Sequence, residues 1–131
     1  NGKVIDTCST QNQSAESLAT KMLGQKLGQP LHDLSDLNED LELMLALLDR
    51  LNFYICVSNT NTHLRAGLGK RCHVLVPNPA DYRWMHSGSE SPWLPGSKIF
   101  RENHQDGWAS ALKDLSTEFA EIGESTETKP K

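Results

Sequence analysis

The sequence lacks an apolar run long enough to cross a membrane, and it lacks any concentrated block of basic residues. Its longest apolar stretches are far shorter than the roughly 20 residues that span a bilayer as a helix. Lys and Arg number 13 against 17 Asp and Glu, a formal net charge of −4. A negatively charged chain without a basic patch is not expected to bind nucleic acid or an anionic membrane surface.

Cysteine is also scarce, because the chain has only Cys8, Cys56 and Cys72, at spacings that match no zinc or redox motif. Cys56 and Cys72 lie inside apolar runs, where a thiol behaves as a small hydrophobic side chain. The five histidines show no i, i+4 ligand spacing. We therefore expect no metal and no cofactor. With no recognisable secretory signal, we expect a reducing, cytoplasmic location.

The common nucleotide and hydrolase fingerprints are missing, namely Gly-x-Gly-x-x-Gly, the P-loop and the Gly-x-Ser-x-Gly elbow. The 131 residues, 37% of them hydrophobic, are enough for one compact domain. We expect that domain to cover residues 1–122. The polar residues 123–131 are expected to form a disordered tail.

Periodic apolar residues and continuous apolar runs alternate along the chain. Helical spacing is found at 14–27, 41–51 and 108–119, and buried strands are predicted at Phe53–Val57 and Cys72–Val76, with shorter ones near 4–5 and 98–100. Asp36 or Asn38 is the expected cap of the second helix. The alternation predicts an α/β fold, a three-layer Rossmann-like parallel sheet with helices on both faces.

One candidate site follows the strand Phe53–Val57. The polar loop 58–62 leads into a predicted helix from His63 to Leu68, with Gly69 as its C-terminal cap. Backbone N–H groups at a helix N-terminus, with the helix dipole, suit a diphosphate. The hydroxyls of the loop and His63 could add hydrogen bonds. The alternative is that the Asn and Thr residues only cap the helix.

A second candidate segment is the long connection 77–97, which holds four of the six prolines and two of the three tryptophans. Connections of this length are often functional. Arg83 could clamp a phosphate, while Trp84 or Trp93 could stack on a base or sugar. The alternative is that these two tryptophans anchor the loop to the core. The third tryptophan, Trp108, lies at a helical spacing that predicts a core position.

The stretch from about Asp36 to Arg101 resembles the C-terminal region of bacterial tetratricopeptide-repeat glycosyltransferases, which are related to heptosyltransferases and more distantly to O-linked N-acetylglucosamine transferases. The resemblance rests on Leu41 to Leu51, Phe53 to Val57, Ser58-Asn59-Thr60-Asn61-Thr62-His63-Leu64, Ala66-Gly67-Leu68-Gly69-Lys70, Val74-Leu75-Val76-Pro77, Asp81-Tyr82-Arg83-Trp84, Ser91-Pro92-Trp93-Leu94-Pro95 and Lys98-Ile99-Phe100-Arg101. In that family the strand is followed by Asp-Thr, with a His five residues after the Asp. His63 matches that His, whereas Ser58 and Asn59 replace the Asp-Thr pair.

The resemblance implies the donor-binding C-terminal half of a GT-B glycosyltransferase, a metal-independent transferase that holds a nucleotide-diphospho sugar. It implies donor-phosphate contacts at Thr60, Asn61, Thr62 and His63, and possible donor contacts at Ser58, Asn59, Arg83 and Trp84. No catalytic residue is assigned, since the acceptor and the general base come largely from a facing N-terminal domain that this chain does not contain. The chain is therefore expected to be inactive by itself.

The alternative function is a non-catalytic α/β protein-interaction module with a degenerate donor site, which the Ser58-Asn59 departure favours. A flavodoxin-like receiver or flavin domain is disfavoured, because Asp6, Asp33 and Asp36 do not make the acidic cluster that a receiver needs.

Overall fold

The computed structural model describes residues 3–4 and 21–127 of the chain. The chain divides into two compact units, Asn1–Arg50 and Leu51–Lys131. The single domain expected over residues 1–122 stays a prediction. Cys8 and Asp6, the first part of the helix predicted at 14–27 and the end of the predicted tail at 128–131 lie outside the described residues.

In the first unit a short parallel pair precedes a helix. Strand β1 (Lys3–Val4) pairs with β2 (Leu31–His32), with Lys3 opposite Leu31. Residues 21–27 are helical, in agreement with the predicted periodicity. A 3-10 helix at Ser35–Glu39 leads into helix α1 (Leu41–Arg50).

The cap of α1 is Asp40, and the prediction of Asp36 or Asn38 is wrong. Residues 35–39 wind into the tighter 3-10 helix, which moves the start of the α-helix towards the C-terminus. The Asp40 carboxylate accepts hydrogen bonds from the backbone N–H of Glu42 at 3.0 Å and of Leu43 at 3.1 Å. Two N–H groups that lack partners within the helix are thereby satisfied.

The second unit is built on a parallel sheet of three strands. The strands are β3 (Ile55–Val57), β4 (Cys72–Val76) and β5 (Ser97–Arg101), in the order β3-β4-β5. Val74 in the centre pairs with Cys56 on one side and Ile99 on the other. The predicted α/β class with a parallel sheet is confirmed. The three-layer Rossmann-like arrangement and its place in a GT-B fold stay predictions.

Two helices complete the second unit. Helix α2 (Thr60–Gly67) connects β3 to β4, and helix α3 (Ala109–Glu127) follows β5. Ala111 and Leu115 of α3 pack with Phe100 of β5, and Trp108 packs partly buried against this cluster, as its spacing predicted. Residues 123–127 were expected to belong to a disordered tail. In the structure they are helical and form the last residues of α3. Within the described residues, no helix combines the length and the hydropathy needed to cross a membrane.

The buried His73 on β4 is the most unusual core residue of this unit. Its side chain is 2% exposed, and its ring stacks on Phe53 with the centroids 4.0 Å apart. Neither ring nitrogen makes a hydrogen bond, since the nearest carboxylate oxygen, on Glu118, is 3.7 Å from Nε2. Burial lowers the pKa of His73, and the Tyr54 carbonyl and the Glu118 carboxylate oppose this shift only in part.

We expect acid to destabilise the protein through His73. The unfolded chain protonates this residue near the ordinary histidine pKa of about 6.5, whereas the folded protein keeps it neutral to lower pH. The unfolded state therefore binds more protons, and the free energy of unfolding falls as pH decreases through that range. Urea unfolding of wild type and His73→Phe at pH 7.5 and 5.5 tests this. The aromatic variant should show a smaller loss, whereas exposed His86→Gln should behave as wild type. Equal losses in all three proteins would contradict the assignment.

Candidate functional site

The turn between β3 and α2 is shaped by a capping box. Asn59 is extended, with φ of −150°, and its side-chain oxygen accepts a hydrogen bond from the Thr62 N–H at 3.0 Å. The Thr62 hydroxyl accepts in return from the Asn59 N–H at 3.4 Å. The helix therefore begins at Thr60, and the predicted start at His63 is wrong. Asn59 caps the helix, as the alternative interpretation expected.

Two of the predicted phosphate contacts have buried side chains. Thr62 is 0% exposed, and its hydroxyl donates to the Val57 carbonyl at 3.1 Å and lies 3.2 Å from Cys56 Sγ. Asn61 is buried as well. The Thr62 side chain holds the start of the helix against the end of the strand, and neither buried side chain lines the surface of the cleft.

The C-terminal end of α2 is fixed equally firmly. Gly69 adopts a φ of +70° and ends the helix in a Schellman motif, in which Gly69 N–H donates to Ala66 O and Lys70 N–H to Arg65 O. The buried Arg65 side chain donates to the carbonyls of Arg71 at 2.8 Å and Leu51 at 3.1 Å. Gly69 was predicted as the cap, and the structure confirms it.

The remaining predicted residues meet at an open cleft of about 330 Å³ at the N-terminal end of α2. Its walls are Ser58, Asn59, Thr60, His63, Leu64 and Arg83. Thr60 is exposed, while Ser58, Asn59 and His63 are half-buried. The structure thus brings five of the eight predicted donor contacts together, at the position expected from the sequence.

Arg83 enters this cleft from the long connection after β4. Its Nη1 lies 3.3 Å from His63 Nε2, although the two residues are 20 positions apart in the chain. A guanidinium group only donates hydrogen bonds, so His63 Nε2 accepts and its ring proton is assigned to Nδ1. The pair places one permanent cation and one imidazole on the same wall of the cleft.

The orientation of Arg83 is set by Asp81. The carboxylate of Asp81 accepts from Arg83 Nε at 2.8 Å and from Nη2 at 3.1 Å, a bidentate pair. These hydrogen bonds lower the pKa of Asp81 to about 2, so the carboxylate stays charged at neutral pH. Asp81 also caps the short 3-10 helix Tyr82–Trp84, accepting from Arg83 N–H. Only the Nη1 side of the guanidinium remains directed at His63.

The two loop tryptophans differ in exposure. Trp84 is 1% exposed, so it is a core residue and does not stack on a ligand at the surface. Trp93, the other candidate for stacking, is 63% exposed, so the alternative that a tryptophan anchors the loop to the core holds for Trp84 and not for Trp93. The sequence pattern does not distinguish the two, because their burial is decided by contacts with distant residues.

Arg101 and Ser91 are the structural residues that sequence reasoning missed. The Arg101 side chain donates to the carbonyls of Trp84, Met85, Ser87 and Gly88. The buried Ser91 hydroxyl donates to Arg83 O at 2.7 Å and accepts from Trp93 N–H at 3.2 Å. Both were visible in the sequence only as part of the family resemblance, which does not reveal their partners.

A larger open cleft, of about 430 Å³, lies between β5 and α3. Its two cationic side chains already have partners, since Lys98 pairs with Glu118 and Arg101 binds loop carbonyls. In residues 3–4 and 21–127 no group of three or more His, Cys, Asp or Glu side chains is arranged to hold a metal ion.

Comparisons of the chain with protein-family models, with curated proteins and with solved structures found no match.

Removing the Thr62 hydroxyl should destabilise the protein. Thr62→Val keeps the shape of the side chain but leaves the Val57 carbonyl and the Asn59 N–H without their buried partner. We expect the free energy of unfolding to fall by about 1–3 kcal/mol. Thr60→Val, in the same turn but exposed, should change it by less than about 0.5 kcal/mol. Urea denaturation of both variants measures the difference, and equal effects would refute the buried role of Thr62.

The loop around Trp84 should depend on Arg101. A lysine at this position reaches fewer of the four carbonyls, so we expect Arg101→Lys to lose about 2 kcal/mol of stability. The buried Trp84 should then gain solvent exposure, which red-shifts the tryptophan emission. Arg71→Lys, at an exposed position, is the matched control and should change neither. A stable Arg101→Lys protein with unchanged emission would show that the loop is held by other contacts.

Proposed function

We propose that this chain is the nucleotide-diphospho-sugar-binding portion of a glycosyltransferase-like protein, and that the donor's diphosphate binds in the cleft at the start of α2. The observation that carries the proposal is the convergence of His63 and Arg83 at that helix N-terminus, 3.3 Å apart. Parallel sheets bind ligands beyond the carboxyl ends of their strands, and this cleft lies directly after β3.

The electrostatics of the cleft support an anionic ligand. The helix dipole places partial positive charge at Thr60 and Asn61, and Arg83 adds a guanidinium whose charge is balanced in part by Asp81 and whose Nη1 faces His63. Because Asp81 holds Arg83 by two hydrogen bonds, the guanidinium is oriented before any ligand arrives, which reduces the entropy cost of binding. A phosphate oxygen competes with His63 Nε2 for Nη1, and its negative charge makes it the stronger acceptor.

In glycosyl transfer without a metal, cations and helix dipoles stabilise the departing diphosphate. Arg83 and α2 are positioned for that task in our proposal. The acceptor and the general base come from a facing domain in the proteins that the sequence resembles. We therefore assign donor binding, and not sugar transfer, to the residues described here.

A second candidate is a protein-interaction module whose donor site has degenerated. The observation that favours it is the use of Asn59 and Thr62 in the capping box, together with Ser58 in place of the family's aspartate. In that case the cleft binds no nucleotide, and its cation serves a protein partner.

Nucleotide titration separates the two candidates. We expect UDP, GDP or ADP to shift the backbone amide resonances of residues 58–64 and of Arg83 in labelled protein. Arg83→Gln should weaken this binding roughly tenfold, as removal of a charge-assisted hydrogen bond does, and His63→Ala should weaken it less. His86→Ala changes an exposed histidine in the same loop that does not line the cleft, and it should bind as wild type. If millimolar nucleotide moves none of these amides, donor binding is refuted and the interaction module becomes the better hypothesis.

A further inference from the structure

Two large aromatic side chains lie exposed on the connection after β4. Tyr82 is 71% exposed and Trp93 is 63% exposed, and their rings meet edge to face with centroids 6.2 Å apart at 83°. We call Tyr82 and Trp93 the aromatic pair. Exposed rings of this size leave much apolar surface in water, which is typical of a binding surface.

The aromatic pair is held in place by buried neighbours. The Ser91 hydroxyl, on a residue that is 4% exposed, joins the backbones of Arg83 and Trp93 through its hydrogen bonds. It also accepts from the N–H of buried Leu94 at 3.3 Å. The two rings are therefore presented by a fixed backbone, and a ligand that stacks on them orders little of the chain.

Arg83 makes the aromatic pair continuous with the cleft. The central carbon of its guanidinium lies 5.6 Å from the centre of the Tyr82 ring, a cation–π contact, while its Nη1 reaches His63. We therefore expect a phosphate bound by Arg83 to lie close to the exposed rings, separated from the Tyr82 ring by the Arg83 guanidinium.

We propose that the aromatic pair is a second subsite, which stacks the nucleobase of a nucleoside diphosphate whose phosphates lie against Arg83 and His63. The inference rests on the proposed function of the cleft and adds where the base lies and what holds it. A nucleobase is a flat, uncharged ring system linked to a diphosphate, and it stacks on aromatic side chains whatever its hydrogen-bonding edge.

The polar groups beside the aromatic pair favour a base over a sugar ring. A saccharide needs several hydrogen-bonding partners for its hydroxyl groups, whereas the Asp81 carboxylate is paired with Arg83 and the Ser91 hydroxyl is buried and engaged by backbone groups, which leaves the exposed Tyr82 hydroxyl as the polar atom of the aromatic pair. Stacking, by contrast, needs only the exposed ring faces.

The test compares ADP, UDP and inorganic pyrophosphate on the intact chain by isothermal titration calorimetry. The readout is the ratio of the Kd of a variant to that of wild type, for each ligand separately. We expect Trp93→Ala to weaken ADP and UDP about tenfold and to leave pyrophosphate unchanged. Trp93→Phe keeps a ring and should retain most of the nucleotide affinity. Leu112→Ala removes an exposed apolar side chain on α3 and is the control, with no expected effect.

Two further measurements support or overturn the subsite. ADP should quench tryptophan fluorescence in wild type but much less in Trp93→Phe, because Trp84 and Trp108 are not exposed as Trp93 is. Ser91→Ala, which releases Trp93 from Arg83, should weaken nucleotides more than pyrophosphate.

The outcomes distinguish this inference from the function on which it rests. If all three ligands bind and Trp93→Ala changes none of the affinities, the base subsite is refuted while the diphosphate cleft stands. If pyrophosphate and both nucleotides fail to bind, the cleft itself is refuted and the subsite with it. If Trp93→Ala instead abolishes a concentration-dependent self-association seen by sedimentation, the aromatic pair is an interface between copies of the chain, and the nucleobase proposal is overturned.

Discussion

The hydrogen bonds of the Thr62 hydroxyl join the last residue of β3 to the first turn of α2. This buried hydroxyl donates a hydrogen bond to the Val57 carbonyl and accepts one from the Asn59 N–H. Together these two hydrogen bonds fix both the angle and the starting residue of the helix. His63 lies one turn after Asn59. Its position is therefore set by the residue at which the helix begins, which the capping box fixes. The cleft that we propose as an anion site therefore depends on a threonine that does not line it.

Much of this arrangement was predictable from apolar pattern alone. The continuous runs at β3 and β4 have the composition of doubly buried strands, and the structure places them side by side and parallel, although β3 is shorter than the predicted Phe53–Val57 and its Val57 is 52% exposed. Local polar chemistry was less decisive, because asparagine and threonine after a strand suit phosphate binding and helix capping equally well. The direction of a hydroxyl is set by the backbone around it, so the sequence indicated the turn but not which of its residues were buried.

Contacts between distant residues explain the remaining errors. Buried Trp84 lies in the loop whose carbonyls bind the Arg101 side chain, and the Ser91 hydroxyl joins the backbone of exposed Trp93 to that of Arg83. The partners of Arg101 lie 13 to 17 positions earlier in the chain. No periodic pattern encodes such pairings, so composition and spacing left both tryptophans as candidates for either role.

Helix α2 is only eight residues long, yet both of its ends are secured by buried side chains. At one end the capping box binds it to β3, and at the other Arg65 binds the carbonyls that precede β3 and β4. A helix this short has little stability of its own, so its amides should exchange with solvent only when the whole sheet unit opens. The part of the cleft formed by α2 thus belongs to the cooperative core of the sheet unit.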